Sequence, residues 1–181
     1  MAALIPSASA TGSGTMTLAG PSTNSNQTVT IPDATGTMMV SGNMPAFSAY
    51  ANTGTSVATA TQTKVTFDVE NFDTNSYFLS SRFTPLIAGY YQITASIRFG
   101  SSTVNTGSAF ILHIYKNGSV YQTAGAGVQT GGFVFPSVNG LVYCNGSIDY
   151  IEIYAYQNSG STITLDTGTN YIFSGFMARA A

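Results

Sequence analysis

The chain has 181 residues, of which 44% are hydrophobic and only 7% charged, and it carries a formal net charge of −2. That length holds one substantial core and an appendage rather than two independent domains, and eleven Tyr with eleven Phe supply enough apolar mass to exclude a disordered chain. The five basic residues, Lys64, Arg82, Arg98, Lys116 and Arg179, are too scattered to neutralise a phosphate backbone, so no nucleic-acid partner is expected.

The opening residues Met1–Ala10 lack the basic flank and apolar run of a signal peptide. No segment approaches the roughly 18 apolar residues of a membrane span, so no membrane insertion is expected. Residues 1–43 carry hardly any aromatic mass and are predicted to form an appendage, with a boundary near Gly42, Asn43, Met44 and Pro45. Within it Thr15–Leu18, Thr28–Ile31 and Thr37–Val40 are short β-prone runs separated by Gly, Pro and Asn. Three such strands cannot bury a core alone, so neighbouring chains or another partner must complete them.

From residue 44 to 181 period-two alternation predicts one all-β domain. Tyr91, Ile93, Ala95, Ile97 and Phe99 face one way, while Tyr90, Gln92, Thr94, Ser96 and Arg98 face the other. Ala109–Lys116 is a second strand, closed by an Asn117–Gly118 turn and returning through Val120–Thr123. A third hairpin is expected from Leu141–Cys144 and Ile148–Gln157 around Asn145–Gly146, with Ile151, Ile153 and Ala155 opposite Tyr150, Glu152, Tyr154 and Tyr156. Asn139–Gly140 reads as either a bulge or a turn, and Tyr171–Ala178 as a closing strand interrupted by Gly175. Phe67, Phe83, Tyr91, Ile93, Phe173 and Phe176 are the expected core. Many short strands punctuated by turns give a sandwich or jelly roll.

The residues Phe67, Asp73, Phe78, Phe83, Gly89, Tyr91 and Ile93 resemble the signature of the globular head of the first complement component and its tumour-necrosis-factor-like relatives. Tyr115–Gly118 after a strand, and Tyr171–Phe176 near the end, are similar to that family in the same order. The resemblance spans about residues 45–179 and implies an antiparallel jelly-roll sandwich. Separately, residues 12–42, through Thr17–Pro21, Thr23–Asn24 and Thr30–Thr37, resemble a segment of phage tail fibres and other virion appendages. Together they imply a homotrimeric structural protein of a bacteriophage virion, made in the host cytoplasm. The expected partners are other copies of the chain, virion proteins contacted through residues 1–43, and a host-surface glycan or protein. The alternatives are a capsid decoration protein of the phage head, a polysaccharide-degrading enzyme, or a secreted complement-like module. The enzyme would need paired carboxylates in a groove, which are not visible.

Low surface charge points the same way, because a soluble monomer ordinarily keeps charges outside. One histidine, one cysteine and seven scattered carboxylates are a thin inventory for catalysis, so no enzyme, catalytic residue or cofactor is expected. His113 reads as a packed or interface residue, and Cys144 as a small buried strand residue. Asp68, Glu70 and Asp73 form the densest acidic group, but one pair on a strand face does not make a calcium cage, and no metal is expected. Tyr90, Arg98, Tyr150, Tyr154 and Tyr156 are the candidate binding or trimer surface. For the three tyrosines of the late strand, a half-exposed sheet and a subunit or sugar-binding surface both fit.

Overall fold

The computed structural model describes residues 44–100, 107–127 and 133–181, together with Ser22, Asn24 and Asn26. Apart from those three residues, the expected appendage therefore lies outside the described residues, as do Gly42 and Asn43 of its boundary. Among the described residues thirteen strands follow in chain order: β1 (Ala46–Ala51), β2 (Ser56–Val57), β3 (Thr63–Lys64), β4 (Val69–Asp73), β5 (Phe78–Leu79), β6 (Arg82–Phe83) and β7 (Ala88–Ser96). After these come β8 (Ala109–Lys116), β9 (Ser119–Gly127), β10 (Ser137–Asn145), β11 (Ile151–Gln157), β12 (Ile163–Thr164) and β13 (Gly168–Ala180).

The strands form a five-stranded sheet in the order β10-β7-β13-β1-β4 and a second sheet in the order β5-β6-β11-β8-β9. Strand β3 joins the second sheet beside β6 on β11, since Lys64 pairs with Tyr154 and Arg82 with Glu152. All the pairings are antiparallel, and sequence neighbours repeatedly fall in different sheets, so the chain winds as a jelly roll.

Alternation builds the core directly. Tyr91, Ile93, Ala95, Ile97 and Phe99 are all buried from one side of the β7 segment, facing Phe110, Leu112, Ile114, Ile151 and Ile153 of the other sheet. At one end Phe47 stacks on Phe83 at 4.3 Å and on Phe78 at 5.1 Å, and meets the edge of Phe173 at 4.9 Å. Five of the six expected core residues are buried, but Phe176 is 52% exposed. It lies three residues after Phe173, and a period of two cannot bury both. Phe173, Gly175 and Met177 point inward instead.

Gly175 does not interrupt β13, which runs unbroken past it. A Cβ there would sit 2.7 Å from Ile93 and 2.9 Å from Phe47, so glycine lets two core side chains close over the strand. Asn139–Gly140 is neither turn nor bulge, because it pairs in unbroken register with Thr94 and Ile93.

The Asn117–Gly118 hairpin forms as expected, with φ of 52° and 77° at its two central residues. The Asn145–Gly146 hairpin does not. Strand β10 pairs with β7, whereas β11 pairs with β8, so this connection crosses between sheets. The physical reason is local: Asn145 Oδ1 accepts from the backbone N–H groups of Ser147, Ile148 and Asp149, which makes a wider turn than a two-residue loop. Val142 and Cys144 can then face Ile151 and Ile153 across the core, all four being fully buried.

Candidate functional site

The outward face of the five-stranded sheet is set by the same alternation. Tyr90 and Gln92 of β7 stand beside Tyr143 and Leu141 of β10, and Gln92 also stands beside Phe176 of β13. Phe176 is opposite Ala46, and Phe72 of β4 is opposite Ser48. Phe72, Leu141 and Phe176 are each about half exposed, and Tyr90 and Tyr143 form a cross-strand aromatic pair at 5.4 Å. None of these residues carries a charge, nor do Thr94, Asn139 and Ser174 between them. A wide sheet face with exposed rings, and with charge toward its rim where Arg179 pairs with Tyr90 and Lys116 Nζ lies 5.6 Å from the Tyr143 ring centre, is the composition of a contact surface rather than a solvated one.

Arg98 sits beyond the end of β7, roughly 26 Å along the strand from Tyr90. Its Nε pairs with Asp166 Oδ2, and its guanidinium lies 4.4 Å from the ring centre of Phe133 and 5.7 Å from that of Phe135. The positive charge at this margin is thus neutralised and covered by aromatic rings.

Tyr150, Tyr154 and Tyr156 belong to the opposite side of the molecule. They follow the outward face of β11, where Tyr154 stacks on Tyr115 of β8 at 4.0 Å and Tyr156 stands opposite Ile111. The five candidate residues therefore divide between two sheet faces and do not make one site.

Sequence reasoning did not pick out the polar centre of this second face. Glu152, only 3% exposed, takes Lys64 Nζ at 2.7 Å and Arg82 Nε at 2.8 Å on the same carboxylate oxygen. Lys64 also donates to the carbonyl of Ser80, and the Arg82 guanidinium lies 3.9 Å over the Tyr150 ring. Burial by itself pushes the Glu152 carboxyl up, but hydrogen bonds and charge from Lys64 and Arg82 outweigh it and leave it below its ordinary range. The available signal was a carboxylate alternating with tyrosines, which needs a cationic partner from elsewhere in the chain.

His113 is closed into the same face. Its Nε2 contacts the Gln62 amide at 3.2 Å and its Nδ1 the Thr123 hydroxyl at 2.9 Å. With Gln62 donating to Nε2, the neutral ring donates from Nδ1 to Thr123. Burial lowers its pKa from the ordinary 6.5. The unfolded chain then binds a proton more readily than the folded one. His113 accordingly contributes stability that is complete above about pH 6.5 and is lost as pH falls toward the folded value. Melting temperature should decline between about pH 7 and pH 5, a window above the ordinary range of carboxylates. His113→Gln should flatten that decline in thermal melts, and an equally steep decline in the variant would contradict the assignment.

The remaining titratable groups hold structure. Asp68 accepts from the backbone N–H groups of Asn52 and Thr53, and Asp73 from those of Asn75 and Phe78, so these carboxylates fix turns. Burial pushes the Cys144 thiol up to about 12, so it is not a thiolate at neutral pH.

No protein family and no curated protein matches the sequence. Solved structures do match the fold. The globular domain of zebrafish complement 1qA protein superposes with a TM-score of 0.57 at 17% identity, covering 76% of this chain and 99% of that one. The domain shares the jelly-roll fold of that structure. Murine APRIL follows with a TM-score of 0.55 at 12% identity, covering 76% of this chain and 99% of its own. Eiger TNF from S. frugiperda gives 0.52 at 11% identity, covering 77% and 94%. At these identities the likeness shows the fold of this jelly-roll domain and leaves function to the site.

Proposed function

We propose that the chain is a non-enzymatic structural protein of a bacteriophage virion, a homotrimeric tail fibre or spike. Residues 1–43 attach it to the particle and the jelly roll forms the exposed head. The observation that carries assembly is the aromatic centre of the outward face of the five-stranded sheet, around Phe176, Leu141 and Phe72, which three copies bury around a common axis. The opposite face, with Tyr150, Tyr154 and Tyr156, stays free to contact a host-surface glycan or protein. The virion setting is supported by the fibre-like composition of residues 12–42.

Deleting residues 1–43 should leave a soluble, folded, trimeric head with most of its β-sheet circular dichroism. The same deletion should abolish incorporation into particles, because strand addition to a virion partner is lost. Purified particles from a complementation assay, probed for the protein, read this directly. A truncated head present at normal copy number would show that attachment runs through the jelly roll. The second reading is a decoration protein of the capsid, in which the same sheet face supplies cohesion. Labelled cryo-electron microscopy of intact particles separates it from a tail fibre.

A further inference from the structure

The outward face of the second sheet carries a cleft that no role above uses. It has a volume of about 460 Å³ and is lined by Lys64, Leu79, Ser80, Arg82 and Thr84. We propose that this cleft binds the carboxylate-bearing ring of an acidic sugar within a host-surface glycan, a site that rests on the reading of the head as an exposed recognition surface.

Among the described residues two cations line the cleft and no carboxylate does. Lys64 and Arg82 are held in place from below by the buried Glu152, so two positive charges meet one negative. Only Nε of Arg82 is used in that pairing, and among the described residues no acceptor meets its two Nη groups. With the guanidinium laid on Tyr150, those donors form a preset fork of the geometry that grips a carboxylate through two hydrogen bonds.

Leu79 supplies the apolar wall. It is 76% exposed at the tip of the β5–β6 hairpin, and the next two residues, Ser80 and Ser81, hold φ of 52° and 59°. Left-handed backbone at two successive non-glycine residues is costly, and here it keeps a leucine out of the core beside two cations. An apolar wall of that kind suits the C–H face of a pyranose ring.

A second cleft of about 580 Å³ shares Lys64, Leu79 and Ser80 with the first and adds Asp68 and Glu70. The trough is therefore cationic at one end and acidic at the other. A single carboxylate seated at Arg82, with ring hydroxyls donating to the far carboxylates, satisfies both ends. A polyanion such as nucleic acid would meet repulsion from Asp68 and Glu70, and both clefts lie in the size range of small-ligand sites rather than protein interfaces.

Saturation-transfer difference spectra of the full-length protein with glucuronate test this, with glucose as the neutral comparison and inorganic sulfate as competitor. The expected result is transfer to glucuronate ring protons, little to glucose, and signal that survives equimolar sulfate. Arg82→Lys keeps a cation on Glu152 but loses the fork and should weaken binding on the order of tenfold. Leu79→Asp, at an exposed position that leaves the core intact, should abolish it. Equal transfer to glucose, full displacement by sulfate, or unchanged binding in both variants would overturn the proposal. Light scattering on the same samples keeps the two readings apart. A trimer without a glucuronate response removes only the cleft, and a monomer that binds glucuronate removes only the assembly.

Discussion

Phe83→Ala should lower the melting temperature of the head by about 6–20 °C. Phe83 is fully buried where β6 of one sheet meets β1 and β7 of the other, stacked on Phe47 at 4.3 Å and edge-on to Tyr91 at 5.4 Å. Removing the ring loses its burial and leaves a cavity that the surrounding sheets cannot close, at a typical cost of ~3–5 kcal/mol. In a domain of this size each kcal/mol is worth roughly 2–4 °C. Because Phe47 also packs on Phe78 and Phe173, the loss spreads through the aromatic cluster that joins the two sheets. Thermal unfolding followed by circular dichroism reads the shift at fixed protein concentration, and an unchanged curve would mean that Phe83 does not pack as described.

Phe176→Arg should convert the proposed trimer to monomers while leaving the fold intact. Phe176 is half exposed within one chain, so a polar replacement costs the isolated head little. In the assembly the same position lies in a face without a compensating carboxylate among its neighbours Ala46 and Gln92. An unpaired guanidinium buried there costs several kcal/mol per copy, and a three-fold axis applies the cost three times over. Leu79→Arg, on the opposite sheet face, serves as the control and should keep the trimer. If Phe176→Arg stayed trimeric, the subunit contact would have to run through another surface.

The sequence shows faces more readily than it shows neighbours. Tyr91 through Phe99 could be placed inside from alternation alone, because in a strand the period of two is fixed by the backbone. Phe176 sits in a family-like motif but out of phase with Phe173, and the period of two places it outside. Strand partnership was less legible: Asn145–Gly146 looks like a hairpin locally, yet which sheet β10 and β11 join is decided by the apolar residues they turn toward each other across the core. The candidate surface divided in the same way. Tyr150, Tyr154 and Tyr156 were legible as one face, but Lys64 and Arg82 reach Glu152 across 88 and 70 residues through two-residue strands. Strands that short leave no periodic signal, so only the folded chain shows that the three charges converge.

Assembly through the aromatic outward face of the five-stranded sheet is the centre of this account, and the solution mass of the full-length protein at micromolar concentration tests it most directly. Multi-angle light scattering should give three times the 18.8 kDa chain mass in a single monodisperse peak. A monodisperse monomer under the same conditions would contradict it.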